Sequence, residues 1–317
     1  MFNSHTGAIG GGELWGYQIA SILNKHYDLR LYSPPWDAKF NKYYDFQIPF
    51  LGRTAFISNP DLYVHYSTHV IEKTKGKKNV LITCFPKKEW PKELVETYDT
   101  IITLSRYSAN YIKSMWDRKA RIIHPAINIT DYQVANKEDL IVSIARFFKE
   151  TGGQSKNQLE LIEAFKCLSS GELKLALAGA VLTPQDQDYF DLCKERAGGL
   201  NIEFYPNIER ADLKKLLARA KYFWHANGYG RTDPYEVEHF GIVYLEAMAS
   251  GCIPIGFETG GGKEFIPFTF KTLDQLQKLT LDLEEQSSNG LPLKMRHIAS
   301  EYSMEKLEKE LLRAIDN

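Results

Sequence analysis

The chain has 317 residues, 44% of them hydrophobic and 25% charged, which excludes a disordered chain and a disulfide-held miniprotein. At roughly 100–200 residues per domain, this length implies two domains. With 39 Lys and Arg against 40 Asp and Glu, the cationic excess of a dedicated nucleic-acid binder is missing, so nucleic acid is not an expected partner.

In chain order, Gly10, Gly11, Gly12 and Glu13 lead into Leu14, Ile19, Ile22 and Leu23 at helical spacing. Such a start puts bare backbone N–H groups at a positive helix end, where an anion such as a diphosphate is favoured. Taken alone it is equally a flexible glycine turn. Gly7-x-x-Gly10-Gly11-Gly12 does not fit G-x-G-x-x-G, and six residues are few for a preceding strand. DLRLYS (28–33), LYVH (62–65), VLITC (80–84), TIITL (100–104) and ARIIH (120–124) are strand candidates, with Ser105 placed to cap a helix over Tyr107–Trp116. The polar stretch 128–138 is the expected linker.

The pattern then restarts. LIVSIA (140–145), LKLALA (173–178), Ile202–Tyr205, Tyr222–His225 and Cys252–Phe257 are expected strands. They alternate with helices over Asn157–Leu168, Asp186–Ala197, Arg210–Ala220 and Val243–Ser250, and Glu301–Ile315 closes the chain as an amphipathic helix. This alternation predicts α/β architecture: two doubly wound, Rossmann-like parallel-sheet domains facing across a cleft. The expected boundaries are an N-terminal domain over 1–137, a C-terminal domain over 138–295, and a helix over 296–317 crossing back to the first. Residues 1–137 hold 18 Lys and Arg against 12 Asp and Glu, and 138–317 hold 21 against 28. That asymmetry is either ordinary surface variation or a basic half facing an anionic acceptor or membrane surface.

Cys84, Cys167, Cys193 and Cys252 are far apart and read as buried free thiols of a reducing compartment. Without a signal core or an apolar span, the expected location is cytoplasmic. No Ser-His-Asp order, H-E-x-x-H, Walker loop or zinc-type cluster is present in the sequence.

Residues 238–262 read EHFGIVYLEAMASGCIPIGFETGGG. Glu238 falls in a loop and Glu246 about a turn into the helix that begins near Gly241, whose start would present the amides of Phe240, Gly241 and Ile242. An arbitrary glutamate pair at this spacing is solvated surface charge. Here the spacing, followed by EAMASGCIPIG, resembles the E-x7-E signature of the retaining glycosyltransferases of family four, which have the GT-B fold. GGGE, TIITLSRYSANYI, RIIHPAINI, SIARF, LALAGA and IEFYPNI fall in the family's order, so the resemblance covers nearly the whole chain. EHFGI and the GGGK that follows are most similar to the mannosyltransferase branch of lipid-linked oligosaccharide synthesis.

By position, the resemblance implies that Arg146 and Lys156 bind the donor diphosphate, with Lys149 a competitor for the lysine role. Glu238 would lie by the hexose, Glu246 on the ribose, Gly11 and Gly12 near the diphosphate, and Pro206, Asn207 and Ile208 near the base. Where relatives carry a histidine after the strand equivalent to VLITC, this chain has Phe85 and Pro86. His65 and His69 are close in sequence but suit structural roles, His5 and His124 are weaker candidates, and His239 neighbours the donor loop. Relatives also have a full strand before the glycine loop, so the first sheet is expected to lack its central strand unless the chain starts late.

The implied activity is retaining, metal-independent transfer of a hexose from a nucleotide-diphosphate sugar, GDP-mannose or a UDP-hexose, to a glycan or lipid-linked acceptor, without a cofactor and with peripheral contact at an anionic membrane surface. A non-catalytic sugar-nucleotide or glycan binder of the same fold is the first alternative. A nicotinamide oxidoreductase lacks its fingerprint.

Overall fold

Short β-branched runs joined by amphipathic helices return to one sheet through crossovers, and crossovers make neighbouring strands parallel. The computed structural model describes residues 2–5, 10–32, 59–67, 69–148, 156–168, 172–285 and 290–316. The chain divides into two units, Met1–Ala126 with Tyr302–Asn317, and Ile127–Glu301.

In the first unit, β1 (Phe2–His5), β2 (Leu31–Tyr32), β3 (Leu62–Ser67), β4 (Lys78–Ile82), β5 (Thr100–Thr103) and β6 (Arg121–Ile122) form one sheet. Its order is β2-β1-β3-β4-β5-β6, and every neighbouring pair is parallel. The central strand expected to be missing is therefore present. β1 pairs with β3 from Phe2↔Val64 to His5↔Ser67 and with β2 at Phe2↔Leu31 and Asn3↔Tyr32. FNSH has no apolar run to announce a strand; backbone pairing on both sides makes it one.

The helices of this unit are α1 (Gly11–His26), α2 (Lys92–Glu96), α3 (Arg106–Trp116) and the last helix of the chain, α10 (Met304–Asp316). Ser105 caps α3, its side chain accepting from the Ser108 amide. Tyr63, Leu81, Val95, Ile101, Ile112 and the stacked Trp90 and Trp116 form a core on this side of the sheet, the indole centroids 5.8 Å apart. α10 contributes buried Leu307, Leu311, Ala314 and Ile315, and its Glu308 bonds His26 of α1 at 2.7 Å.

The second unit contains β7 (Glu138–Ile144), β8 (Lys174–Gly179), β9 (Ile202–Pro206), β10 (Ala220–His225), β11 (Ile253–Phe257) and β12 (Phe268–Phe270). These strands run parallel in the order β12-β11-β10-β7-β8-β9. Around them lie α4 (Gln158–Lys166), α5 (Pro184–Arg196), α6 (Arg210–Arg219), α7 (Ile242–Ala249), α8 (Leu273–Glu285) and α9 (Leu291–Ser300). The connections reverse direction between β7 and β10, which makes the carboxyl ends of those two strands the switch point of the sheet, the usual ligand position of an open α/β fold.

Two boundaries differ from the sequence reading. The division falls between Ala126 and Ile127 rather than at 137–138, because the polar stretch is tied into the second unit. Tyr132 bonds Glu246, and Lys137 donates to the carbonyls of Leu217, Ala218 and Ser250. The returning segment starts at Tyr302 rather than 296, because Arg296 of α9 donates to the carbonyls of Ile129, Tyr132 and Ala249. The cysteines also differ in part: all four are free, but Cys167 is exposed and Cys84 only half-buried. No described helix is long and apolar enough to cross a membrane.

Lys137 places one ammonium at the carbonyl ends of both α6 and α7, where a cation is favoured and three acceptors are satisfied. Lys137→Met is expected to lower the unfolding free energy by about 1–3 kcal/mol, measured by urea denaturation with an unchanged m value.

Candidate functional site

The switch point gathers three loops: the end of β7 with Arg146, the start of α4 with Lys156 and Asn157, and the end of β10 with His225 and Asn227. Asn157 is buried in the left-handed region, φ 57°, and its amide nitrogen donates to the carbonyls of Ala226 at 2.7 Å and Tyr229 at 3.0 Å. Gln158 Nε2 lies 3.2 Å from the carbonyl of Ala145 and 3.1 Å from that of Arg146. Two adjacent side chains thus bind the α4 start to both strand ends.

Glu238 enters this junction. Its Oε2 accepts from Asn227 Nδ2 at 2.8 Å and from His225 Nε2 at 3.2 Å, with Lys156 Nζ at 3.7 Å. Burial alone would push the carboxyl up, but Lys156, His225 and Asn227 together hold it well below the ordinary carboxylate range. The His225 Nε2 proton points at this carboxylate, and its buried Nδ1 makes no hydrogen bond among the described residues. Glu238 keeps 23% exposure, enough for a ligand to reach it.

Backbone geometry fixes the loop. Gly260 has φ 110°, and a Cβ there would stand 2.2 Å from the Glu238 carbonyl, which the Gly261 amide bonds at 2.8 Å. Gly241 starts α7 at φ 84°, and among the described residues no side chain caps the first amides of that helix. Phe240 is buried against Phe265, centroids 4.9 Å apart, and Ile242 is buried.

The other expected residues separate by role. Glu246 is buried, and its Oε1 accepts from Arg210 and, at 3.0 Å, from the Tyr132 hydroxyl. Arg146 turns its guanidinium toward Asp186, Nε to Oδ2 at 3.6 Å, and over the Phe148 ring at 5.0 Å; no contact links it to Glu238 among the described residues. Asn207 has φ 53° and clamps the end of β8, accepting from the Val181 amide at 2.9 Å, while Ile208 packs on the core. Lys149 and Gly7 lie outside the described residues.

In the first unit, Gly11 and Gly12 open α1 directly after extended Gly10. The Tyr66 hydroxyl donates to the Gly12 carbonyl, and a Cβ on Gly16 would stand 2.7 Å from the Tyr66 ring. His65 is buried beside Tyr63, its ring bonded to the Val70 carbonyl at 2.9 Å, and His124 bonds the Leu104 carbonyl at 2.8 Å, both structural roles. The His69 carbonyl accepts from the Trp90 indole, and the His239 ring lies 6.0 Å from Tyr235. The His5 side chain lies outside the described residues. Phe85 packs on Tyr107 and Tyr111 at 6.0 and 5.2 Å.

Sequence reasoning missed His225, Asn227, Asn157, Tyr132 and Arg210. The first two stand at or just past the end of a strand that was read correctly, so the strand-end rule could have found them. Nothing in the sequence pairs Tyr132 or Arg210 with Glu246.

Residues 127–268 match the family model of glycosyl transferases group 1. Over 194 residues the chain is 26% identical to the GDP-Man:Man(3)GlcNAc(2)-PP-Dol alpha-1,2-mannosyltransferase of Dictyostelium discoideum, covering 55% of this chain and 37% of that protein. The chain thus spans little more than a third of the length of this curated relative. Among solved structures, a glycosyltransferase from Rickettsia africae superposes with TM-score 0.76 at 14% identity, over 98% of this chain and 96% of that one. Anabaena HepE in complex with UDP and glucose gives 0.72 at 14% identity, over 100% and 98%. The fold is GT-B, and the glycosyltransferase resemblance read from the sequence, including its mannosyltransferase branch, is met by these matches.

The depressed folded pKa of Glu238 means that its carboxylate stabilises the fold above the unfolded value of about 4.3 and that this contribution is lost as pH falls below it toward the folded value. The stability difference between the wild type and Glu238→Gln is therefore expected to be constant above about pH 5 and to shrink below about pH 4. Urea titrations across pH 3–7 read it; a difference that grows with acidity contradicts the assignment.

Proposed function

We propose that the chain is a group 1 glycosyltransferase that moves mannose from GDP-mannose to a hydroxyl of a lipid-linked glycan, with retention and without a divalent metal. The observation that carries the reading is the meeting of Lys156, His225, Asn227 and Glu238 at the switch point of the second sheet. The mannosyltransferase relative supports the choice of donor and acceptor class.

In this reading Lys156 and Arg146 receive the donor diphosphate, with the open amides of α7 at Gly241 and Ile242 beside it and Phe240 setting the turn. Two cations neutralise the charge that grows on the leaving diphosphate as the glycosidic bond breaks, which lowers the barrier through interactions stronger in the transition state than in the ground state. Lys156 lies against Glu238 in the unliganded chain and would exchange that contact for phosphate; Arg146 would leave Asp186 in the same way. Glu246 accepts from the ribose, and Asn207 and Ile208 lie by the base.

Glu238 accepts from the hexose hydroxyls and holds the ring. Because His225 and Asn227 both donate to Oε2, the other oxygen is left to accept from the ligand. The acceptor hydroxyl attacks the anomeric carbon on the face from which the diphosphate departs. The C–O bond to the diphosphate breaks, the new C–O bond forms, and the acceptor proton passes to a departing diphosphate oxygen. Configuration is kept without a covalent enzyme intermediate. An acceptor carried on a lipid phosphate brings the enzyme to the cytoplasmic membrane face, and the cationic excess of residues 1–137 suits such a surface.

GDP at 100 times its dissociation constant is expected to stabilise the native state by about 2.7 kcal/mol, with UDP and ADP giving less. No thermal shift with any of the three overturns the donor site. Lys156→Ala is expected to lower kcat of mannosyl transfer by about 100-fold or more, and Glu238→Ala to abolish transfer while leaving GDP binding nearly intact. A Glu238→Ala chain that still transfers mannose overturns the role given to that carboxylate.

A further inference from the structure

Arg210 occupies the first position of α6, where the helix dipole disfavours a cation. Helix formation therefore does not account for it. Its guanidinium instead reaches 36 positions along the chain to Glu246 and also donates to the Tyr132 hydroxyl at 2.6 Å. The Tyr132 hydroxyl donates its own hydrogen bond to the same carboxylate oxygen, Oε1, at 3.0 Å. The three groups close a ring of hydrogen bonds around one oxygen. Among the described residues, Glu246 Oε2 accepts from no donor.

We propose that Arg210 and Tyr132 are positioning residues for the nucleotide ribose, locking Glu246 through Oε1 so that Oε2 is presented to the sugar hydroxyls. The inference rests on the reading of Glu246 as the ribose acceptor. Burying a carboxylate is costly unless a partner compensates it, and charge-assisted hydrogen bonds are the stronger and better directed ones. Arg210 supplies that partner through Nη2, which donates to both Glu246 Oε1 and the Tyr132 hydroxyl, and the rigid guanidinium plane fixes those directions where a Lys would supply charge alone. Tyr132 is suited to the second bond because burial, and beyond it the Glu246 charge, push its phenol well above the ordinary value, so it stays a donor. Its backbone is anchored in turn, since Arg296 donates to the Tyr132 carbonyl at 2.9 Å and to that of Ile129 at 3.1 Å. A side chain already held in its binding rotamer loses little conformational entropy when the ribose arrives.

The test compares GDP and UDP with their 2′,3′-dideoxy analogues by calorimetry on the wild type, Arg210→Lys and Tyr132→Phe, with the melting temperature of each unliganded protein followed in parallel. The wild type is expected to prefer the ribonucleotide by about tenfold or more. In Arg210→Lys that preference should fall toward unity while affinity for the dideoxy analogue stays within about twofold, and Tyr132→Phe should lose part of it. A merely structural role would weaken both nucleotides alike, and that result overturns the proposal, as does a preference fully kept in Arg210→Lys. A wild type that binds nucleotide without preferring ribose, or binds neither nucleotide, overturns the ribose or donor-site reading and the proposal with it.

Discussion

A carboxylate removed from water must be compensated where it lies, and the second unit is arranged around meeting that demand at Glu238. The three groups that answer it come from separate places in the chain: Lys156 before α4, His225 at the end of β10, and Asn227 just beyond. They meet because the sheet changes direction between β7 and β10, so the strand ends that carry them open side by side. A strand order that separated β7 from β10 would scatter them.

Stiffness around that charge comes from short-range chemistry rather than from the hydrophobic core. Asn157 tolerates the left-handed conformation because its own amide is satisfied by two carbonyls, and in doing so it sets where the preceding Lys156 stands. On the opposite side, Gly260 lets the backbone approach the Glu238 carbonyl more closely than any side chain would permit. Buried Tyr244 packs against the His225 ring, with centroids 5.1 Å apart. The result is a carboxylate held in place by its own surroundings.

The alternation of strands and helices and the cap at Ser105 were legible in the sequence, because each follows from local periodicity or local chemistry, whereas Glu238 and Glu246 stood out only through the resemblance of the motif around them. What escaped was decided by partners distant in the chain. FNSH is a strand because β2 and β3 flank it, although its residues carry no strand pattern. The stretch 128–138 has a linker's composition, yet Tyr132 and Lys137 find acceptors far along the chain and bind it to the second unit. Arg210 looks like ordinary surface charge at the start of a helix until Glu246 is beside it. Hydrophobic pattern fixes faces of elements; it carries no information on which polar groups will face each other once the faces have packed.

The return of α10 to the first unit bears on how the chain is made. The apolar face formed by Leu307, Leu311, Ala314 and Ile315 joins β5 and α1, elements synthesised well before it. The second unit is continuous, from Ile127 to Glu301, and can close while the ribosome is still working. The first unit, although its strands are translated earlier, has to wait with an uncovered side until α10 emerges. A nascent chain stopped at residue 301 would thus hold one finished unit and one unfinished one, and its need for chaperones would fall on the half that was made first.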